Sequence, residues 1–398
     1  VVHERALATC GRLQAHGVVP GDRVALVFPT SIEFFDAFFG VLLAGAVPVP
    51  LYPPVRLGRL AEYIARTTRM LELVSARLVL SDRRVRRLLG QAVAPARPQL
   101  GCETLDELQP GTAEPVRVTP DDLALVQFSS GTTVDPRPVA LSHRAVVAQT
   151  VRLNGFWPQP EDRVVDSGVS WLPLYHDMGL IGCVFPALEH PGTLTLIPPE
   201  LFVARPALWL RTISRYRASI SPAPNFAYGL CVDKVRDDQL EGVDLSCWRV
   251  ALNGAEPVAP RVLRSFADRF SSWGFRREAL TPVYGLSEAA LAVTFSELGS
   301  PFETRRFDRE RLAHAGRAVQ SADGVEMVAL GRPLPGFELR VVDRDGRSVD
   351  DGTVGPVHVR GPSLMEGYLD QPDATQAVLH DGWLDTGDLG FVYQGDLY

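Results

Sequence analysis

Short apolar runs separated by amphipathic stretches fill the first third of the chain. Val24-Ala25-Leu26-Val27-Phe28 contains no polar residue and reads as a strand buried on both faces. Thr30, with Glu33 three residues later, has the spacing of a capping box. The helix it opens would set Phe35, Phe38, Phe39 and Leu42 on one face. Gly45 closes that helix, and Ala46 to Leu51 returns as a strand. Leu71 to Ser75, then Leu78-Val79-Leu80-Ser81, repeats the helix–strand theme. The alternation predicts a parallel sheet with helices on its faces. Residues 93–120, rich in Pro, Gly and polar groups, read as a surface connection. Leu123 to Phe128 predicts a further buried strand and His143 to Leu153 a helix. Beyond about residue 325 the period changes. Phe337 to Val342 and Val354 to Val359 alternate as half-buried strands do, with Asp345-Gly346 and Asp351-Gly352 at turns. A smaller β-rich unit on an α/β body is expected.

Composition narrows this picture. A chain of 398 residues is too long for one ordinary core. With 46% hydrophobic and 22% charged residues it is globular rather than disordered. A formal charge of −7 argues against nucleic acid as a partner. Of the 40 basic residues only Lys234 is a lysine, so chemistry that needs a lysine must use that one or find it elsewhere. Cys10, Cys102, Cys183, Cys231 and Cys247 lack the spacing of a metal or redox motif and are expected as free thiols in a reducing cytosol. The most apolar stretch, Phe34 to Leu51, is interrupted by Asp36, Gly45, Pro48 and Pro50, too often for a membrane span of about 20 residues. A cytoplasmic protein without a transmembrane segment is expected. Neither Val1 nor Tyr398 looks like a natural boundary, so the chain reads as an excised piece.

Four segments carry candidate chemistry. The strand ending at Phe128 runs into Ser129-Ser130-Gly131-Thr132-Thr133, where a glycine among hydroxyls would let backbone N–H groups approach a polyphosphate. No Gly-Lys-[Ser/Thr] follows, which excludes a P-loop. In Tyr284-Gly285-Leu286-Ser287-Glu288 the carboxylate of Glu288 is a candidate Mg²⁺ ligand beside a phosphate, and Tyr284 offers a flat face to a base. Asn253-Gly254-Ala255-Glu256-Pro257 follows an expected strand, Trp248 to Leu252, and could present backbone groups to a nucleobase edge. Asp388 in Thr386-Gly387-Asp388 could accept both hydroxyls of a ribose. Each segment alone is equally a polar loop, a surface glutamate, a strand-to-helix turn or a turn aspartate.

In this order and spacing the four segments resemble the adenylate-forming superfamily of acyl-CoA synthetases, adenylation domains and luciferases, over essentially the whole chain. Ser170-Trp171-Leu172-Pro173-Leu174-Tyr175-His176-Asp177-Met178-Gly179-Leu180-Ile181-Gly182 resembles the signature of its fatty acyl-AMP ligase branch. Ser221 to Tyr228 resembles that branch's acyl-tunnel segment. The stretch between Glu288 and Gly331, with Phe307-Asp308-Arg309-Glu310-Arg311-Leu312, resembles the branch's insertion. The resemblance implies an α/β fold: two flavodoxin-like α/β subdomains, at about 1–160 and 161–295, and a smaller distorted β-barrel subdomain at 331–398, with the insertion at 296–330. All of it is the large N-terminal adenylation domain.

The implied reaction is attack of a medium- or long-chain fatty acid on the α-phosphate of ATP with release of pyrophosphate. The acyl-AMP then passes to the phosphopantetheine arm of an acyl carrier protein. Ser129, Ser130, Gly131, Thr132 and Thr133 would hold phosphates, with Thr132 and Glu288 in the catalytic set and Glu288 on Mg²⁺. Asn253, Gly254, Ala255, Glu256, Tyr284, Gly285, Leu286, Ser287 and Asp388 would hold the nucleoside. His176, Asp177, Pro224, Asn225, Phe226 and Tyr228 would meet the acyl group, His176 as a gate and member of the catalytic set rather than a base, although Trp171 and Phe226 are more simply core residues. In the family the insertion is thought to hinder CoA thioester formation. The chain departs from the family at Val134, which stands for a glycine, at Arg137, which stands for a lysine, and at Asp135, which adds an acid. The family's small C-terminal domain, which supplies a lysine, would follow Tyr398, and Lys234 does not match that lysine. The chain alone is therefore expected to bind nucleotide yet turn over at least ~10²-fold slower than a longer form. The alternatives are a fatty acyl-CoA synthetase that tolerates the insertion and a non-catalytic nucleotide- or acyl-binding module.

Overall fold

The first apolar runs pair as the β-α-β alternation predicts. In the computed structural model β1 (Arg23–Val27) lies between β2 (Val47–Pro50) and β3 (Leu78–Ser81), all parallel. β4 (Cys102–Glu103) pairs with β3, so the expected surface connection contributes an edge strand. The structure describes residues 1–54, 60–129, 136–157, 166–190 and 192–398. They form two compact units: 1–147 with 173–177 and 365–375, and 148–172 with 178–364 and 376–398.

The helix Ile32–Leu43 buries a different face from the one its spacing predicts. Phe34, Ala37, Phe38 and Val41 are buried, whereas Phe35, Phe39 and Leu42 are only partly so. Phenylalanines at 34, 35, 38 and 39 cover two faces, and the apolar pattern cannot choose between them. Buried Asp36, ion-paired with Arg5, marks the inward side. The cap is Ser31 rather than Thr30, its hydroxyl accepting from the Phe34 N–H at 3.4 Å. In the same unit β5 (Leu123–Phe128) runs antiparallel to β6 (Pro138–Ser142), and Gly367–Tyr368 adds to β6.

The second unit is built on a seven-stranded sheet. β7 (Ser167–Ser170), β8 (Thr193–Leu196), β9 (Ile220–Pro224), β10 (Val250–Gly254) and β11 (Leu280–Gly285) are parallel in the order β8-β7-β9-β10-β11. β12 (Ala292–Phe295) runs antiparallel beside β11, and Arg332–Pro333 closes that edge. Helices Ala207–Tyr216, Asn225–Lys234 and Pro260–Phe270 contribute to its core, where Trp209, Tyr228, Trp248 and Phe266 pack edge to face with ring centroids 5.0–6.0 Å apart. Each polar ring atom finds a partner: Trp209 Nε1 donates to Ser221 Oγ, Trp248 Nε1 to the Val250 carbonyl and the Tyr228 hydroxyl to the Leu252 carbonyl.

The stretch after β12 forms an antiparallel hairpin, Thr304–Phe307 with Val325–Val328, around the helix Arg309–Ala315. Arg264, on the helix Pro260–Phe270, reaches Glu326 and Thr304 of that hairpin. The β-rich part is an open four-stranded antiparallel sheet of Glu338–Val341, Gly355–Arg360, Trp383–Gly390 and Leu379–His380, with no closed barrel among the described residues.

Candidate active site

The segments singled out in the second unit leave one edge of its sheet. Trp171 follows the carboxyl end of β7, Pro224 ends β9, Gly254 ends β10 and Gly285 ends β11. These strands are parallel, so the four exits lie together where ligands bind open α/β sheets. Two exits are held by side chains of the helix Asn225–Lys234 and the loop after β10. Asn253 Nδ2 donates to Asn225 Oδ1 at 3.3 Å, and the Ala259 N–H donates to the same oxygen at 3.2 Å. The Glu256 carboxylate accepts from the Phe226 N–H and so caps the helix from another part of the chain.

The β11 exit turns on two close approaches. A Cβ on Gly254 would come within 2.7 Å of a Val283 methyl, and one on Gly285 would sit 1.9 Å from the Leu291 carbonyl oxygen. The register against β12 shifts between Tyr284 and Gly285, a bulge that re-aims Tyr284. Its hydroxyl donates to Asp388 Oδ2 at 2.8 Å. Burial, then the Asp388 charge, push the Tyr284 phenol well above its ordinary pKa, with the Glu288 charge a smaller contribution in the same direction. The phenol therefore stays protonated and can only donate to the carboxylate.

Ser287 is buried and Glu288 half-buried on the single turn Ser287–Ala289. Among the described residues no three His, Cys, Asp or Glu side chains gather as a metal cage. A single carboxylate that leaves the other positions to phosphate and water suits Mg²⁺ and no all-protein site. Gly254, Tyr284, Glu288 and Asp388 thus come together in this unit, as do Asn253, Asn225, Glu256 and Phe226.

The acyl candidates divide. Phe226 is 48% exposed, which corrects its reading as core. It lies in the first turn of its helix, with its ring 5.8 Å from that of Trp171. Trp171 is buried, stacked at 4.0 Å on Phe202. Tyr228 is fully buried among aromatic rings, and Pro224 and Asn225 stand at the strand end. Sequence reasoning missed the cavity of this unit. It holds about 700 Å³ of empty volume including its mouth, and is lined by Val169, Gly182, Cys183, Pro222, Leu252 and others. Pro222 and Leu252 lie two residues before the ends of β9 and β10. The π-helical turn Leu180–Val184 supplies Gly182 and Cys183, and two stretches singled out in the sequence, Ser170 to Gly182 and Ser221 to Tyr228, each contribute to the cavity's lining through Gly182 and Pro222.

In the first unit the Ser129 N–H donates to the Arg137 carbonyl at 3.0 Å. Ser130, Gly131, Thr132, Thr133, Val134 and Asp135 lie outside the described residues. The Arg137 guanidinium sits over the Tyr368 ring, 5.0 Å from its centroid, and donates to its hydroxyl at 3.3 Å. His176 Nδ1 is 2.6 Å from Oδ1 of buried Asp177, whose charge raises the imidazole pKa against the effect of burial. Lys234 is exposed. No described helix is long and apolar enough to cross a membrane.

Comparison with known proteins identifies the family. Residues 2–369 match the AMP-binding enzyme family. A putative acyl-CoA synthetase of Caulobacter vibrioides is 35% identical over all of this chain and 70% of its own length. The 4-hydroxyphenylalkanoate adenylyltransferase of Mycobacterium tuberculosis is 32% identical over all of this chain and 67% of its own length. Long-chain-fatty-acid–AMP ligase FadD26 of Mycobacterium marinum is 32% identical, over all of this chain and 71% of its own length. The structure of a fatty acyl-adenylate ligase from L. pneumophila, in complex with acyl adenylate and pyrophosphate, superimposes with a TM-score of 0.90 at 31% identity, covering all of this chain and 70% of that one. The chain belongs to the AMP-binding enzyme family, and within it to the fatty acyl-AMP ligase branch.

Proposed function

We propose that this chain activates a medium- or long-chain fatty acid as its adenylate. A carboxylate oxygen of the acid bonds to the α-phosphorus of ATP, the bond to the β-phosphate bridging oxygen breaks, and pyrophosphate leaves. Such a reaction depends on positioning and on charge stabilisation. Asp388 holds the ribose hydroxyls, Tyr284 and the Gly254 backbone frame the adenine, and Asn253, Ala255, Glu256, Gly285, Leu286 and Ser287 shape the walls. The segment Ser129 to Thr133 binds phosphates, with Thr132 in the catalytic set. Glu288 would hold Mg²⁺, which when bound offsets phosphate charge. The cavity under β9 and β10 takes the acyl chain, with Phe226, Asn225 and Pro224 at its approach and His176 with Asp177 as the gate. Tyr228 supports that approach from the core. The acyl group then passes to the phosphopantetheine thiol of an acyl carrier protein in the cytoplasm. On this reading the chain boundaries of the subdomains fall near residues 160 and 295, and the stretch 296–330 is the branch's insertion.

The observation that carries the reading is the Tyr284–Asp388 pair at the exit of β11, in the same unit as a largely apolar cavity. The test is fatty-acid-dependent exchange of pyrophosphate into ATP. Exchange that rises with the acid supports the reading, and exchange indifferent to any fatty acid sinks it. The Caulobacter relative's name favours a second reading, CoA thioester synthesis. Supplying CoA separates the two: acyl-AMP accumulates on the first and acyl-CoA on the second.

A further inference from the structure

A carboxylate meant to accept two ribose hydroxyls needs a fixed orientation, yet Asp388 is exposed, on the strand Trp383–Gly390, whose pairing with Gly355–Arg360 is irregular in register. Its backbone is held locally. The Asp388 N–H donates to Thr386 Oγ1 at 3.2 Å, Thr386 Oγ1 donates to the Val357 carbonyl at 2.8 Å, and the Gly387 N–H donates to Asp385 Oδ1 at 3.0 Å. None of these bonds fixes the Asp388 side chain. The Tyr284 hydroxyl does so, through Oδ2 at 2.8 Å, from a strand 104 residues away. Tyr284 is itself aimed by the bulge that Gly285 permits.

We propose that Tyr284 is a positioning residue that sets the rotamer of Asp388 through its hydroxyl, so that the ribose selectivity of this site depends on the phenol as well as on the carboxylate. The inference rests on the assignment of Asp388 to the ribose. The tyrosine ring would frame the base in either case, and only its hydroxyl is at issue. With Oδ2 engaged by the phenol, Oδ1 is presented to the ribose, and the carboxylate cannot rotate away without breaking a charge-assisted hydrogen bond.

The experiment compares wild type, Tyr284→Phe, Asp388→Asn and the double variant by calorimetric titration with ATP, 2′-deoxy-ATP and 3′-deoxy-ATP, with pyrophosphate exchange measured in parallel. Tyr284→Phe keeps the ring and removes the donor. Loss of one hydrogen bond to a charged, solvent-accessible group is expected to weaken ATP binding roughly 5- to 10-fold. Binding of the two deoxynucleotides should change less, so the wild-type preference for ATP should shrink. In exchange assays KM for ATP should rise, with kcat at saturating ATP and KM for the acid within about twofold of wild type. In the Asp388→Asn background Tyr284→Phe should have no further effect on the ATP preference.

A folded Tyr284→Phe protein that keeps the full preference for ATP overturns the proposal. So does an effect of equal size in the Asp388→Asn background, which would mean that the phenol acts on the nucleotide directly. If Tyr284→Phe unfolds, Tyr284→His, which keeps a planar ring and removes the phenol, takes its place: a folded Tyr284→His protein with the full preference for ATP overturns the proposal. Failure of the functional reading looks different, since it would show as wild-type protein with normal nucleotide binding and no exchange driven by fatty acid.

Discussion

Tyr228 and Tyr284 stand in the same unit, and both have phenols pushed up by burial. They do different work. Tyr228 lies in the aromatic core and donates to a neutral backbone carbonyl, that of Leu252. Tyr284 lies at the sheet edge and donates to an exposed carboxylate, that of Asp388. A neutral acceptor inside a packed core satisfies a buried donor and asks nothing of solvent. A carboxylate left at the surface, oriented by a donor from a distant strand, is a group still able to accept another ligand. The type of partner, more than the degree of burial, separates structure from site here.

The sharpest way to break that contrast is to empty the core. Trp248→Ala removes a fully buried ring that touches Trp209, Tyr228, Phe266 and Phe275. It should cost roughly 3–5 kcal/mol of stability, read as a lowered midpoint in urea unfolding. Glu288→Gln should do the reverse: exchange activity falls at least ~10²-fold while the midpoint stays near that of wild type. If instead Glu288→Gln unfolds the protein, the edge is structural and the distinction between the two regions fails. Tyr228→Phe sharpens the comparison. It leaves the Leu252 carbonyl without its donor and should destabilise by roughly 1–2 kcal/mol, with KM for ATP unchanged. A raised KM there would place Tyr228 in the site after all.

Much of this was legible in the chain because period and exit coincide. Val24 to Phe28, Leu78 to Ser81, Leu123 to Phe128 and Trp248 to Leu252 were visible as strands, whereas β7, β9 and β11 (SGVS, ISPAP and LTPVYG) are too polar or Pro-rich to read as apolar runs, and the segments at 170–182 and 221–228 stood out by family resemblance. The parallel order then makes their convergence on one edge a consequence of topology. What stayed hidden were choices between equivalent faces and contacts across long separations. The four phenylalanines of Ile32–Leu43 left two faces equally apolar, and the structure buries the one carrying Phe34, Ala37, Phe38 and Val41, with Asp36 paired to Arg5. Thr30 and Ser31 were equally good caps by type, and the backbone used Ser31. The Glu256 cap on Phe226 and the Tyr284 bond to Asp388 join positions 30 and 104 residues apart, beyond any local pattern. The exposure of Phe226 follows from the same cap: the helix must start at Asn225 to meet Glu256, and Phe226 is then in its first turn, facing out.

A third kind of pair tests the contrast at its weak end. Glu326 is a carboxylate, like Asp388, but its donors leave it nothing further to do. Arg264 grips both its oxygens, one at 2.9 Å, and the Thr304 hydroxyl donates to it at 2.8 Å. The Arg264 hydrogen bonds, foremost, lower its pKa from 4.5 to about 2. A folded-state pKa below the unfolded one means that the folded protein binds fewer protons, so the pair stabilises above the unfolded value and loses that contribution as pH falls through the folded one. Both side chains are partly exposed, and solvent screening limits the effect to roughly 0.5–1 kcal/mol. Glu326→Gln should therefore lower the unfolding midpoint slightly at pH 7. The difference from wild type should narrow between about pH 4.5 and about pH 2, and 2′-deoxy discrimination should not move. A gap that widens in acid would mean that Glu326 is protonated in the folded protein. In that case its hydrogen bonds to Arg264 would not be those of a paired charge.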